Sequence, residues 1–268
     1  MRFLGVDLAW KASNPSGVAL LGGQGFPLHL REVPRTLGSH AQVLEWIARH
    51  VAHHRAVVGI DAPLLGARIT GGRRGCDDAI SSAFGRFGAF THSMPKHRSL
   101  QRFAGALTRI YGPEAFGPRC EPRSGAPAIR EVYPNAFQVR LFDLDRMPPR
   151  PFVRYKKRRF GPNARWAEAG LGPFVDRCAS EIGGRYVAPV GEGWARLLQG
   201  RPEPGMSAAE LKSIEDRWDA LLCALAVALE AYVPGSMRYY PEGPDAWRRG
   251  FILAPALGAP ASIPDRKR

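Results

Sequence analysis

Two short apolar runs, Phe3-Leu4-Gly5-Val6-Asp7 and Ala56-Val57-Val58-Gly59-Ile60-Asp61, each end in an aspartate. This pair constrains the fold more than any other feature of the chain. A continuous apolar run of this length suits a strand covered on both faces, which is the habit of parallel sheets. Pro63 stops the second run just past its aspartate. Between the two runs, Asn14-Pro15-Ser16-Gly17 turns into Val18-Ala19-Leu20-Leu21, and Gly22-Gly23-Gln24-Gly25 turns into a strand around Leu28 to Val33. An amphipathic helix follows from about Ser39, with Val43, Leu44, Ile47 and Val51 on one face.

The order is a three-strand antiparallel meander, a helix, and a fourth strand that again ends in aspartate. That is the opening of an RNase H-like α/β core, in which strands one and four lie side by side and helices cover both faces. The carboxyl ends of those strands then present Asp7 and Asp61 to one place, where open α/β sheets bind their ligands. Cys76 to Phe87 and Ser99 to Tyr111 read as helices within an insertion of about residues 64–127. A fifth strand is expected at about Ile129 to Tyr133, then a short helix, a helix near Asn163 to Ile182 and a shorter one near Gly193 to Leu198. The best-marked helix runs from about Ser207 to Tyr232, because Ser207 and Glu210 have capping-box spacing and Pro234-Gly235 ends it. A hairpin of Met237 to Tyr240 with Phe251 to Leu253 closes a single domain of residues 1–254. Residues 255–268 read as a loosely ordered tail.

With 45% apolar residues, a chain of 268 residues buries a sizeable core without disulfides or structural metals. Its four cysteines, Cys76, Cys120, Cys178 and Cys223, form no CxxC pair and read as reduced thiols in a cytoplasmic protein. No apolar run approaches the roughly twenty residues that span a bilayer, so no membrane association is expected. The net charge of +14 favours a polyanionic partner, of which nucleic acid is the commonest. The basic run Arg154, Lys156, Lys157, Arg158 and Arg159 has Tyr155 interleaved and Phe160 beside it. Such a run can track a phosphate backbone and stack a base, and a solvated basic loop is the competing reading.

Asp216 and Asp219 are three residues apart on the long helix and share one face. Cys223 and Ala226 roughly continue that face with side chains small enough for a close approach to the sheet. Asp7, Asp61, Asp216 and Asp219 therefore form a candidate metal site. Converging carboxylates repel in a partly desolvated site unless cations hold them. All-oxygen ligands suit Mg²⁺ or Mn²⁺ rather than zinc.

The strings GVDLAW, IDAPL, RRGCDD, EVYP and EDRWDALLCALAVAL occur in this order. In them the chain resembles the domain of unknown function 429 family, whose members are predicted RNase H-fold nucleases. The resemblance runs from Met1 to about the Tyr239–Ala254 hairpin. It implies Asp7, Asp61, Glu131 and Asp219 as the catalytic acids, and marks Arg74, Cys76 and Asp77 as a motif of unassigned role. The expected activity is hydrolysis of phosphodiester bonds in nucleic acid with two metal ions. Asp7 would bridge the ions, with Asp61 and Asp219 on either side. Glu131 or Asp216 would complete a shell or orient water, and Lys156 or Lys157 would neutralise the phosphate. Two alternatives compete. An ATP-dependent phosphotransferase of the actin and sugar-kinase type shares this core, but bulky Trp10 sits where such enzymes approach phosphate with small residues. A non-catalytic nucleic-acid-binding module would have little use for an acidic pocket.

Overall fold

The computed structural model describes residues 1–64, 72–91, 98–145, 154–157, 160–243 and 250–258. Five strands form one mixed sheet: β1 (Arg2–Asp7), β2 (Ser16–Gly22), β3 (His29–Leu37), β4 (Ala56–Asp61) and β5 (Ala128–Glu131), in the order β3-β2-β1-β4-β5. β1 pairs antiparallel with β2 and parallel with β4, and β4 pairs parallel with β5. The expected side-by-side placement of strands one and four is therefore present. β3 extends further than its sequence signals, with register shifts against β2 at Leu20. These let the strand bend and twist along its partner.

Alternation along the strands sorts the core into two layers. Leu4, Val6, Val58, Ile60 and Ile129 pack with helices α1 (His40–Val51) and α3 (Arg98–Tyr111) on one face. Phe3, Val57 and Ala128 pack on the other face with α2 (Gly75–Phe84), α4 (Pro134–Leu141), α5 (Asn163–Trp166), α6 (Gly172–Ile182), α7 (Glu192–Gln199) and α8 (Ala208–Tyr232). The stretch read as one helix over Asn163 to Ile182 is helical throughout, but its middle turn, Ala167–Leu171, is π-helical. The hairpin of β6 (Met237–Tyr240) and β7 (Ile252–Pro255) packs on the same face. Just past β7, Ala256 is fully buried and donates its amide to the Ser236 carbonyl. Residues 259–268 lie outside the described residues. No helix among the described residues is long and apolar enough to cross a membrane, and all four cysteines are free thiols.

The long helix α8 is the central element. Ser207 accepts from the Glu210 amide while the Glu210 carboxylate accepts from the Ser207 amide, the capping box its spacing predicts. The helix reaches the sheet because the strands, as well as the helix, are small at the crossing. A Cβ on Gly5 would overlap the Ala220 carbonyl oxygen and lie 2.5 Å from the Ala224 nitrogen. A Cβ on Gly17 would overlap the Asp216 carbonyl in the same way. The contacts to strand glycines fall at Asp216, Ala220, Cys223, Ala224 and Val227; Ala226 is buried within the core but is not among them.

Candidate functional site

Asp7 and Asp61 are the last residues of β1 and β4 and are Cα partners across the parallel pair. By alternation, Asp7 continues the row of Phe3 and Gly5, and Asp61 that of Val57 and Gly59, so both leave the sheet on the side covered by α8. The first turns of α8 bring Lys212, Glu215, Asp216 and Asp219 to the same end. A cavity of about 830 Å³ opens there, lined by Asp7, Asp61, Glu215 and Asp216 together with Lys156 and Lys212. Asp219 is fully buried. One of its oxygens accepts from Lys156 Nζ at 2.5 Å and the other from the Tyr155 hydroxyl at 2.7 Å.

The acids of this cluster divide into two kinds. Glu215 accepts from Lys156 Nζ at 2.9 Å and Lys212 Nζ at 2.8 Å, and Lys212 also bonds Asp216. Burial pushes Glu215 up, but the two ammoniums outweigh it and hold the carboxyl below its usual range. Neither Asp7 nor Asp61 forms an ion pair among the described residues. Burial, and then the Asp216 carboxylate, push Asp7 up to about 7. Burial, and then Asp7 and Asp219, raise Asp61 well above the ordinary carboxylate range. Burial carries Asp219 up to about 6 against the pull of Lys156. The Asp7 and Asp216 carboxyls lie close enough to share a hydrogen bond, which two carboxyls can make only with a proton between them. Five carboxyls thus face two ammoniums, and the two acids at the strand ends are left with no ammonium bonded to them, which favours their protonated forms.

Glu131 ends β5 beside this cluster but belongs to a different arrangement. The Arg74 guanidinium bonds both Glu131 oxygens, at 2.9 and 2.5 Å, and both Asp77 oxygens, at 2.9 and 3.0 Å. The Asp77 carboxylate also accepts from the Arg74 amide and so caps α2, while Glu131 accepts from the Leu64 amide at 2.9 Å. The motif of Arg74 and Asp77 is thereby a clamp that fixes the turn after β4, and with it the seat of Asp61. Ligand atoms of Cys76, Asp77 and Glu131 lie within 4.8 Å of one another, close enough to hold a metal ion. Arg74 already supplies the cation there, and burial, then Glu131, push the Cys76 thiol up to about 12, so it stays protonated at neutral pH. The acids at the strand ends are spread more widely, since among the described residues only Cys76, Asp77 and Glu131 bring three ligand atoms within 4.8 Å of one another.

The basic run does not present its charges on one surface. Arg154 is exposed and lines the cavity, Lys156 turns into the acids, and Lys157 lies over the Trp166 ring at 5.8 Å. Arg158 and Arg159 lie outside the described residues. Tyr155 is unable to stack a base, because its ring is buried against Phe174 at 3.8 Å and its hydroxyl is spent on Asp219. Glu215 and Lys212 went unnoticed in the sequence, although they sit four residues from Asp219 and Asp216 respectively, one helical turn away.

No curated protein and no solved structure matches the chain. One family does, over residues 5–246, a span that takes in both strand-end aspartates, the Arg74–Asp77 clamp and the whole of α8. The chain belongs to the family described as Protein of unknown function (DUF429).

Proposed function

We propose that this protein is a metal-dependent nuclease of RNase H-like fold, hydrolysing phosphodiester bonds in nucleic acid at the cavity where β1, β4 and α8 meet. The observation that carries the reading is the pair Asp7 and Asp61, adjacent at the carboxyl ends of parallel strands, half-buried, raised in pKa and in no ion pair among the described residues. The strand order and the placement of α8 support the fold assignment. The donors are carboxylate oxygens throughout, which fits Mg²⁺ or Mn²⁺ and not zinc. Asp7, Asp61 and Asp216 would hold the ions from the cavity wall, with Asp219 beneath them.

When bound, such ions polarise a phosphoryl oxygen and lower the pKa of water. The chain's own residues do the rest. Arg74 grips Glu131, which also accepts from the Leu64 amide and so steadies the turn after Asp61, Tyr155 fixes the Asp219 carboxylate, and Lys156 and Lys212 supply positive charge where a phosphate would enter. The net charge of +14 supports a polyanionic substrate. The test is a cleavage screen over labelled single-stranded, duplex, hybrid and branched nucleic acids, in Mg²⁺, in Mn²⁺ and in EDTA. Wild type should cleave at least one substrate class only with the metal. Asp61→Asn should lower the rate by at least about a hundredfold, the upper cost seen for groups that merely support metal ligands. Cleavage that persists in EDTA, or at full rate in Asp61→Asn, would overturn the assignment.

A further inference from the structure

Two ions flanking Asp7 would need carboxylate oxygens on both sides of it, Asp61 for one ion and the acids of α8 for the other. The acids of α8 are already taken. Asp219, Glu215 and Asp216 form a row in which carboxylates alternate with ammoniums. Lys156 Nζ donates to Asp219 at 2.5 Å and to Glu215 Oε1 at 2.9 Å. Lys212 Nζ donates to the same Glu215 oxygen at 2.8 Å and also to Asp216. The second Asp219 oxygen accepts from the Tyr155 hydroxyl at 2.7 Å. A divalent ion on this side would share its oxygens with an ammonium, and two cations that close repel.

The two ammoniums are not held alike. Lys212 sits on an early turn of α8 with its side chain 52% exposed, so it can swing into solvent. Lys156 is set deeper, at 39%, and issues from a fixed point. The ring of the preceding Tyr155 is stacked on Phe174 at 3.8 Å, and the Tyr155 carbonyl accepts from Trp166 Nε1 at 2.5 Å. The ammonium itself lies 4.8 Å from the Tyr155 ring centroid, a further attraction that keeps it in place. On the other side, Asp7 and Asp61 have no ammonium bonded to them among the described residues. Magnesium is commonly held by one or two carboxylates and completes its shell with water and phosphate oxygens, so this pair suffices for one ion.

We propose that the site takes a single divalent ion, at Asp7 and Asp61, and that the Lys156 ammonium fills the place on Asp219 and Glu215 that a second ion would occupy. Asp219 is then a positioning residue for Lys156 and not a metal ligand. The inference rests on the metal-dependent reading above and departs from the pair of ions that the family resemblance implies.

The experiment is a titration with Mn²⁺ alone, read by the number of ions bound and by electron paramagnetic resonance. The spectrum reports magnetic coupling between ions roughly 4 Å apart, the spacing of a two-metal site. Wild type should bind one Mn²⁺ with the spectrum of an isolated ion. Lys156→Met keeps the length of the side chain without its charge, and should bind two ions with the spectrum of a coupled pair. Lys156→Arg restores the charge and should return the count to one. Two coupled ions in the wild-type chain, or a single isolated ion in folded Lys156→Met, would overturn the inference. If removing the ammonium prevents folding, the wild-type count and spectrum decide alone. Failure of the nuclease reading is separate: one bound ion without cleavage of any nucleic acid would remove the chemistry and leave the inference. Two coupled ions with metal-dependent cleavage would do the reverse, and no saturable Mn²⁺ binding would overturn both.

Discussion

In EDTA at pH 8, Asp7→Asn should be more stable than the wild-type chain by on the order of 2–3 kcal/mol, and the difference should shrink toward zero near pH 4. The folded chain holds the Asp7 proton up to about pH 7, because burial and the Asp216 carboxylate disfavour its charge, whereas 3.8 is the ordinary value. Between those limits the folded state binds more protons than the unfolded state. The resulting stability is complete below the ordinary value and is lost as pH rises toward 7. The full interval corresponds to about 4 kcal/mol at 1.36 kcal/mol per pH unit, and the opening of the cavity to solvent screens part of it. Lys212 and Lys156 pull the other way but do not cancel the effect. Asparagine resembles the protonated acid in shape and carries no charge at any pH. Urea unfolding of both proteins at pH 5 and pH 8 measures the gap. A variant no more stable than wild type at pH 8 would mean that the site is not short of positive charge.

Gly5→Ala should destabilise the fold by about 1–3 kcal/mol, the usual cost of forcing a methyl group into a filled core. The added Cβ would meet the Ala220 carbonyl oxygen and the Ala224 nitrogen, which are backbone atoms with no rotamer to yield. The helix has to retreat as a whole, taking Asp216 and Asp219 with it. The sign is informative, because alanine at an unremarkable glycine in a strand is favourable by roughly 0.5–1 kcal/mol. Gly38→Ala is the control, since its nearest neighbour is the tip of the Gln42 side chain at 3.4 Å. Denaturant midpoints should fall for Gly5→Ala and stay within experimental scatter for Gly38→Ala. An unchanged midpoint for Gly5→Ala would contradict the close seating of α8.

The frame of the site was legible in the sequence because its signals are local. Continuous apolar runs marked β1 and β4, terminal aspartates marked their ends, and the Ser207–Glu210 spacing marked the start of α8. What escaped notice depends on contacts between distant segments. Arg74 and Glu131 are 57 residues apart, and neither carries a sign that it will neutralise the other. Lys156 reads as part of an exposed basic run, yet its ammonium lies between Glu215 and Asp219, more than fifty residues further along the chain. Tyr155 reads as a stacking platform in the same run and is instead the buried prop of Asp219. The close approach of α8 was expected from small residues on the helix. Half of it comes from glycines in the strands, where composition alone reads glycine as a weakness.

The central claim is that the acids at the ends of β1 and β4 hold divalent cations, and calorimetric titration with Mn²⁺ at pH 7 tests it most directly. Ligands must be deprotonated before they bind a metal, so the proton that Asp7 partly holds at this pH has to leave. Wild type should show saturable binding whose apparent heat varies with the ionisation enthalpy of the buffer, the signature of proton release. Asp7→Asn should bind at least about tenfold more weakly and release fewer protons. No saturable binding at millimolar Mn²⁺, or identical titrations for wild type and Asp7→Asn, would contradict the account.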